Sequence, residues 1–264
     1  MKKIATVIKT IKPSGIREFF NYASERPEIV SLGVGEPDFV TPKPIVEAAK
    51  KSLDEGKTFY TSNQGLPSLR RKISEYLSNR FDVHYDADEM ILTAGSSQGI
   101  LAALMAIINP GDEIIVTEPT YICYVPDIEM CGGKAVIIPL SSENEYKLTP
   151  DVLRKYITSK TKAIFLSYPN NPTGAIMTKE ELQAIVPLIL KNDLYVISDE
   201  IYAELTYGSR HCSIASFDGF KERTILISGF SKAFAMTGWR LGYVCAPKVI
   251  LDQILKIQQY MMLS

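Results

Sequence analysis

Two histidines and four cysteines in 264 residues leave little with which to build a metal site. His84, His211, Cys123, Cys131, Cys212 and Cys245 include no CxxC pair and no well-spaced ligand set, so no metal is expected, and the unpaired cysteine pattern fits a reducing, cytoplasmic compartment. Neither sign of charge dominates. Lys and Arg together number 29 against 30 Asp and Glu, a net charge of −1. That balance lacks the basic surplus with which a chain holds nucleic acid or anionic lipid, and the expected partner is a small molecule. No apolar run approaches the roughly 18 residues that a transmembrane helix needs. Lys9 and Lys12 interrupt the basic opening before it resembles a secretory leader, so it reads as mature chain. Repeats and low-complexity tracts are also missing.

What is present is a hydrophobic content of 46%, enough to bury a substantial core. Short β-rich runs occupy 90–95, 112–119, 134–140, 161–169, 194–200, 223–229 and 241–247. Helical patterns occupy 96–108, 149–157 and 178–192, the last opening with Thr178 and Glu181 at capping-box spacing. Strands that alternate with helices and are apolar almost throughout predict an α/β fold. Its form is a three-layer α/β/α sandwich around a mostly parallel seven-stranded sheet. Residues 1 to about 45, with Gly33, Gly35, Pro37, Pro42 and Pro44, read as an arm rather than sheet core. Helical periodicity returns from Val249 but meets no terminating glycine, proline or basic turn, and the chain reads as cut.

In such a sheet ligands gather at the carboxyl ends of the strands. Four of the runs end in polar or glycine-rich clusters expected to meet there: Gly95-Ser96-Ser97, Tyr168 to Gly174, Asp199 to Tyr202, and Ser228 to Lys232. Taken singly, each has an ordinary explanation: an N-cap, a turn, a capped or paired carboxylate, a solvated lysine. Taken together, a phosphate cradle at a helix N-terminus, a lysine nucleophile, a buried carboxylate and the aromatics Tyr121 and Tyr202 match the needs of pyridoxal phosphate.

The run Ser231-Lys232, followed by Met236-Thr237-Gly238-Trp239-Arg240-Leu241-Gly242-Tyr243, closely resembles the lysine signature of the class I/II aminotransferases. These are fold-type I pyridoxal-phosphate enzymes of the aspartate aminotransferase superfamily. In family order it is joined by Gly33-Val34-Gly35-Glu36-Pro37-Asp38, Tyr60 five residues before Gly65, Gly95-Ser96-Ser97, Pro119-Thr120-Tyr121, Asn170-Asn171-Pro172-Thr173-Gly174 and Asp199-Glu200-Ile201-Tyr202. The resemblance implies an aminotransferase that moves an amino group from an amino acid to a 2-oxo acid in two half-reactions, by a ping-pong scheme. Lys232 would be its Schiff-base lysine and proton carrier. It implies Asp199 at the pyridinium nitrogen, Asn171 and Tyr202 at the ring oxygen, and Tyr121 on the ring face. Gly95, Ser96, Ser97, Ser231 and Arg240 would hold the phosphate. Gly35 and Asn171 would touch substrate, and Tyr60 would reach the phosphate of a neighbouring subunit, which implies a homodimer with shared active sites.

The chain departs from that pattern in two places. Gly229 stands where many relatives carry serine, so a phosphate hydroxyl is missing unless Ser228 replaces it. The family's C-terminal small domain, with the arginine that grips the substrate carboxylate, would lie beyond Ser264. The implied division is therefore an arm and part of the small domain over 1–45 and a cofactor-binding large domain over 46–264, with the C-terminal small domain absent. Such a chain is expected to bind cofactor better than it turns over substrate. Other readings are a carbon–sulfur β-lyase or aminocyclopropane-type synthase on the same scaffold, an inactive truncated cofactor-binding protein, and a regulatory domain fused to a DNA-binding module. No basic arm or helix-turn-helix precedes Met1 to support the last. Aspartate, aromatic residues and alanine are all admissible substrates.

Overall fold

The computed structural model describes residues 2–13, 15, 22–23, 25–26, 28–30 and 35–262. Gly33 and Val34 of the glycine motif and the terminal Leu263 and Ser264 lie outside the described residues.

Seven strands form one sheet: β1 (Met90–Thr93), β2 (Glu113–Glu118), β3 (Lys134–Pro139), β4 (Thr161–Ser167), β5 (Tyr195–Asp199), β6 (Thr224–Gly229) and β7 (Gly242–Cys245). Their order is β1-β7-β6-β5-β4-β2-β3. β2 to β6 pair in parallel, and β7 alone runs against its neighbours β1 and β6. The sheet is mostly parallel, as the sequence predicts, and every expected strand is present with its ends trimmed by a residue or two. No described residue before Met90 enters it.

The helices are α1 (Thr6–Thr10), α2 (Lys43–Asp54), α3 (Pro67–Phe81), α4 (Gly95–Ile107), α5 (Tyr124–Met130), α6 (Pro150–Arg154), α7 (Lys179–Lys191) and α8 (Lys248–Met261). Alternation along the strands explains why they cover both faces. Ile114 and Val116 pack with Leu104 of α4, Ile128 of α5 and Ile254 of α8, whereas Ile115 and Val196 face Leu182, Ile185 and Ile189 of α7. On that second face Ile73, Leu77 and Phe81 of α3 cover Met90, Leu226 and Tyr243. Each fully buried aliphatic chain contributes roughly 1.5–3 kcal/mol, so neither face could be left to water.

Local chemistry sets the helix ends. Thr178 and Glu181 form the expected capping box at the start of α7, with the Thr178 hydroxyl accepting from the Glu181 N–H at 3.3 Å. The helix expected over 149–157 keeps α-helical form only to Arg154. Beyond it the N–H groups of Lys155 and Tyr156 reach back three residues, to Val152 and Leu153, and tighten the chain into a turn. In α8, Gln258 is buried and its amide donates to the carbonyls of Leu92 (2.8 Å) and Asn63 (3.0 Å), tying the helix to the end of β1.

Candidate active site

β1, β4, β5 and β6 all end at the same edge, so the four polar clusters converge there as the sequence predicts. Lys232 sits in the loop between β6 and β7, which closes on itself through Met236 N–H to the Ser231 carbonyl and Phe230 N–H to the Leu241 carbonyl, both 3.1 Å. Its Nζ donates to the Gly35 carbonyl and lies 5.7 Å from the centre of the Tyr202 ring. Partial burial, with Arg240 adding to it, lowers the pKa of the amine, while Glu36 acts in the opposite sense. Ser231 beside it is buried.

The segment around Gly35 is fastened to the same loop. Thr237 donates to the Glu36 carboxylate (3.0 Å), Thr41 donates to the Ala235 carbonyl (2.6 Å), and the Trp239 indole donates to Thr41 (2.9 Å).

Asp199 closes β5, and its carboxylate is fully enclosed. Oδ2 accepts from the Tyr124 hydroxyl at 2.8 Å, and Oδ1 accepts from the Ile201 N–H at 3.2 Å. Among the described residues no cation pairs with it. Burial pushes its pKa up to about 6, the two donors pull it down, and the neighbouring Glu200 pushes it up further. One turn on, the Tyr202 hydroxyl receives the Asn171 amide at 3.4 Å. The Tyr121 ring lies 5.7 Å from that of Tyr124 in an edge contact, and burial raises its pKa.

Gly95, Ser96 and Ser97 form the first turn of α4. Among the described residues no side chain caps this helix, and its leading N–H groups, without partners inside the helix, point toward whatever lies beyond the strand. The Arg240 guanidinium packs against Gly95: a Cβ there would meet its terminal nitrogen at 2.3 Å. Arg240 holds a left-handed backbone (φ 52°), a conformation that L-residues occupy at a cost and that recurs at functional sites. Its Nη1 donates to the Thr237 carbonyl (3.0 Å), and among the described residues no carboxylate pairs with it.

The structure also explains Gly229. A Cβ there would stand 2.9 Å from both the Gly242 Cα and the Leu241 carbonyl oxygen, so the loop closes too tightly for serine. Ser228 does not stand in for it, because its hydroxyl donates to the Glu200 carbonyl at 3.2 Å and has no second proton to give an anion.

Lys232, Gly35, Asp199, Tyr202, Asn171, Tyr121, Ser231, Gly95, Ser96, Ser97 and Arg240 are therefore gathered at one edge. Tyr60 is apart from them: it lies on the exposed segment after α2, 77% accessible. Sequence reasoning missed Tyr124, which holds Asp199, and Glu36, which faces Lys232. Glu36 stood inside a quoted motif, whereas Tyr124 carried no signal beyond being a third tyrosine-type group near Tyr121.

A family model described as aminotransferase class I and II matches residues 27–264. A putative aminotransferase of Bacillus subtilis, YugH, is 49% identical over 98% of this chain and 68% of its own length. An aspartate aminotransferase of Pyrococcus abyssi is 44% identical over 95% of this chain and 65% of its own. The solved aspartate aminotransferase of Thermus thermophilus with maleate superposes at a TM-score of 0.96 with 35% identity, covering 100% of this chain and 70% of that one. The chain thus spans about two thirds of the length of these relatives. Family match, identity and fold agree with the cluster at the sheet edge: the chain belongs to the class I and II aminotransferases, a family dependent on pyridoxal phosphate.

Proposed function

We propose that this protein transfers an amino group from an amino acid to a 2-oxo acid in two half-reactions, at the edge shared by Lys232, Asp199 and Arg240. One observation carries the reading: on the edge that holds Lys232, among the described residues, an arginine lacks a carboxylate partner and a buried carboxylate lacks a cation. Among the described residues Arg240 has no carboxylate partner, and it stands beside a helix N-terminus that none of them caps, which suits a phosphate dianion. Asp199 is buried with no cation beside it among the described residues, which suits a protonated ring nitrogen. Lys232 has a lowered amine pKa, which suits an aldehyde. The residues fit pyridoxal phosphate.

When bound, the cofactor supplies an aldehyde that accepts and returns amino groups and a cationic ring that withdraws electrons. The chain supplies the rest. Gly95, Ser96, Ser97, Ser231 and Arg240 would hold the phosphate, Asn171 and Tyr202 the ring oxygen, Tyr121 the ring face, and Asp199 the ring nitrogen. Lys232 would hold the aldehyde carbon through its neutral amine. Once displaced by substrate, the same amine would be free to take up and return the proton of the substrate Cα. The carbonyl of Gly35, which Lys232 contacts, and the Asn171 amide would then orient the substrate.

We assign the cofactor-binding domain to 46–264 and the arm to 1–45, and place Tyr60 in a cytoplasmic homodimer at the phosphate of the neighbouring subunit. Its high exposure within one chain supports that placement.

The test is to follow the nitrogen. With a ¹⁵N-labelled amino acid, either aspartate, phenylalanine or alanine, and 2-oxoglutarate, the label should appear in glutamate. Label recovered as ammonium together with pyruvate, with none in glutamate, would replace transfer by β-elimination.

A further inference from the structure

Tyr124 is 75 residues from Asp199 in sequence, yet its hydroxyl is the shortest contact the carboxylate makes, at 2.8 Å. The phenol is almost completely buried. Its ring stacks on Phe165 at 3.9 Å and meets the Tyr121 edge, so the hydroxyl has one place to be. On its other side the Ser167 hydroxyl lies 3.1 Å away. A phenol has one proton, and an ionised carboxylate can only accept. The proton of Tyr124 therefore goes to Asp199 Oδ2, and Ser167 donates to the phenol oxygen. This forms a relay, Ser167 to Tyr124 to Asp199, in which each bond polarises the next toward the carboxylate.

Among the described residues Asp199 has one other protein donor, the Ile201 N–H at 3.2 Å. Without the phenol, the buried carboxylate would keep that one amide and the repulsion of Glu200. The remaining titratable groups whose charge reaches it are Tyr121, Cys123 and Tyr202.

We propose that Tyr124, supported by Ser167, is a positioning residue for Asp199: it fixes one carboxylate oxygen and keeps the group ionised, so that the other oxygen can serve a cationic N–H. The purpose rests on the reading of Asp199 as partner of the ring nitrogen. The coupling itself does not. Because Tyr124→Phe keeps the ring that packs on Phe165 and Tyr121, loss of the hydroxyl alone acts on the protonation of Asp199 rather than on substrate contacts.

The experiment is a carboxyl titration by ¹³C NMR on the full chain carrying [¹³Cγ]aspartate, without cofactor, with the Asp199 resonance identified by its disappearance in Asp199→Asn. In the unsubstituted chain the midpoint should lie at about 6. Tyr124→Phe keeps the stacked ring and removes only the oxygen, and should move the midpoint up by about one to two units. Ser167→Ala should move it the same way by less. A lower melting temperature with an unmoved midpoint would reduce Tyr124 to packing and overturn the proposal. Should Tyr124→Phe not fold, an unmoved midpoint in Ser167→Ala overturns it equally.

A second arm reads the ring nitrogen directly with ¹⁵N-labelled pyridoxal phosphate. The proposal expects the nitrogen to lose its proton at lower pH in Tyr124→Phe than in the parent, and equal pH dependence counts against it. If the parent chain binds no cofactor, the proposed function falls, while the carboxyl titration still decides the coupling.

Discussion

Asp199 and Glu200 are consecutive, both about 4% exposed, and have opposite surroundings. Glu200 faces the side of the sheet that Ser198 also faces, as residues two apart on a strand do. There it is closed off: Oε1 accepts from Ser213 (2.6 Å) and Ser198 (2.9 Å), and Oε2 meets His211 Nε2 at 2.8 Å. Asp199 faces the other side and has, among the described residues, a phenol and one amide. Two carboxylates in one strand end, equally buried, thus differ in whether the chain completes them. A completed charge is architecture. An incomplete one in a built surrounding marks where a ligand supplies the missing partner.

The largest expected difference between the two lies in stability. Glu200→Ala strands a buried imidazole and two hydroxyls and should cost about 3–5 kcal/mol. Urea unfolding at neutral pH measures it, and a loss below 1 kcal/mol would break the distinction. Asp199→Asn should instead cost nothing at neutral pH in the cofactor-free chain, because it removes a charge that burial disfavours.

The same contrast has a pH signature. The folded pKa of Asp199 lies at about 6 against an ordinary 3.8, so the folded chain binds this proton more tightly than the unfolded chain does. Its stabilising contribution is full below the ordinary value and is lost as pH rises through about 6. The change is on the order of 3 kcal/mol in the parent. The drop should vanish in Asp199→Asn. A drop of equal size in both proteins would place its origin elsewhere.

Two smaller effects separate the site edge from the rest of the scaffold. Gly229→Ser forces a Cβ against the backbone of Gly242 and Leu241. It should destabilise by about 1–3 kcal/mol and weaken cofactor binding, read by thermal melting and by cofactor titration. Thr178→Ala removes the hydroxyl that caps α7, on the helix that covers the other face. It should cost about 1 kcal/mol while leaving cofactor affinity unchanged.

How much of this was legible in the sequence follows from the range of each interaction. All seven strands were readable because β-branched runs bounded by turn residues are local signals, and Thr178 with Glu181 announced a helix start within four residues. Some helices were not read. α2 is amphipathic but buries no residue fully, and α5 is one short helix carrying Pro126, too brief to display a helical period. At the site, the residues in compact motifs were named, including Lys232, Asp199, Asn171 and Arg240. Tyr124 was not, because its tie to Asp199 exists only once β2, β4 and β5 lie side by side. Strand order is a global outcome, and no local window contains it. The fit of glycine at 229 was unreadable for the same reason: its cause is the backbone of β7, brought alongside by the fold.

Visible absorption shows whether this edge of the sheet is completed by pyridoxal phosphate held at Lys232. The chain is mixed with the cofactor beside a Lys232→Ala control. An absorption band, distinct from that of free cofactor, should appear with the parent chain and be lost in the control. A band of equal strength in both proteins would contradict the assignment of Lys232.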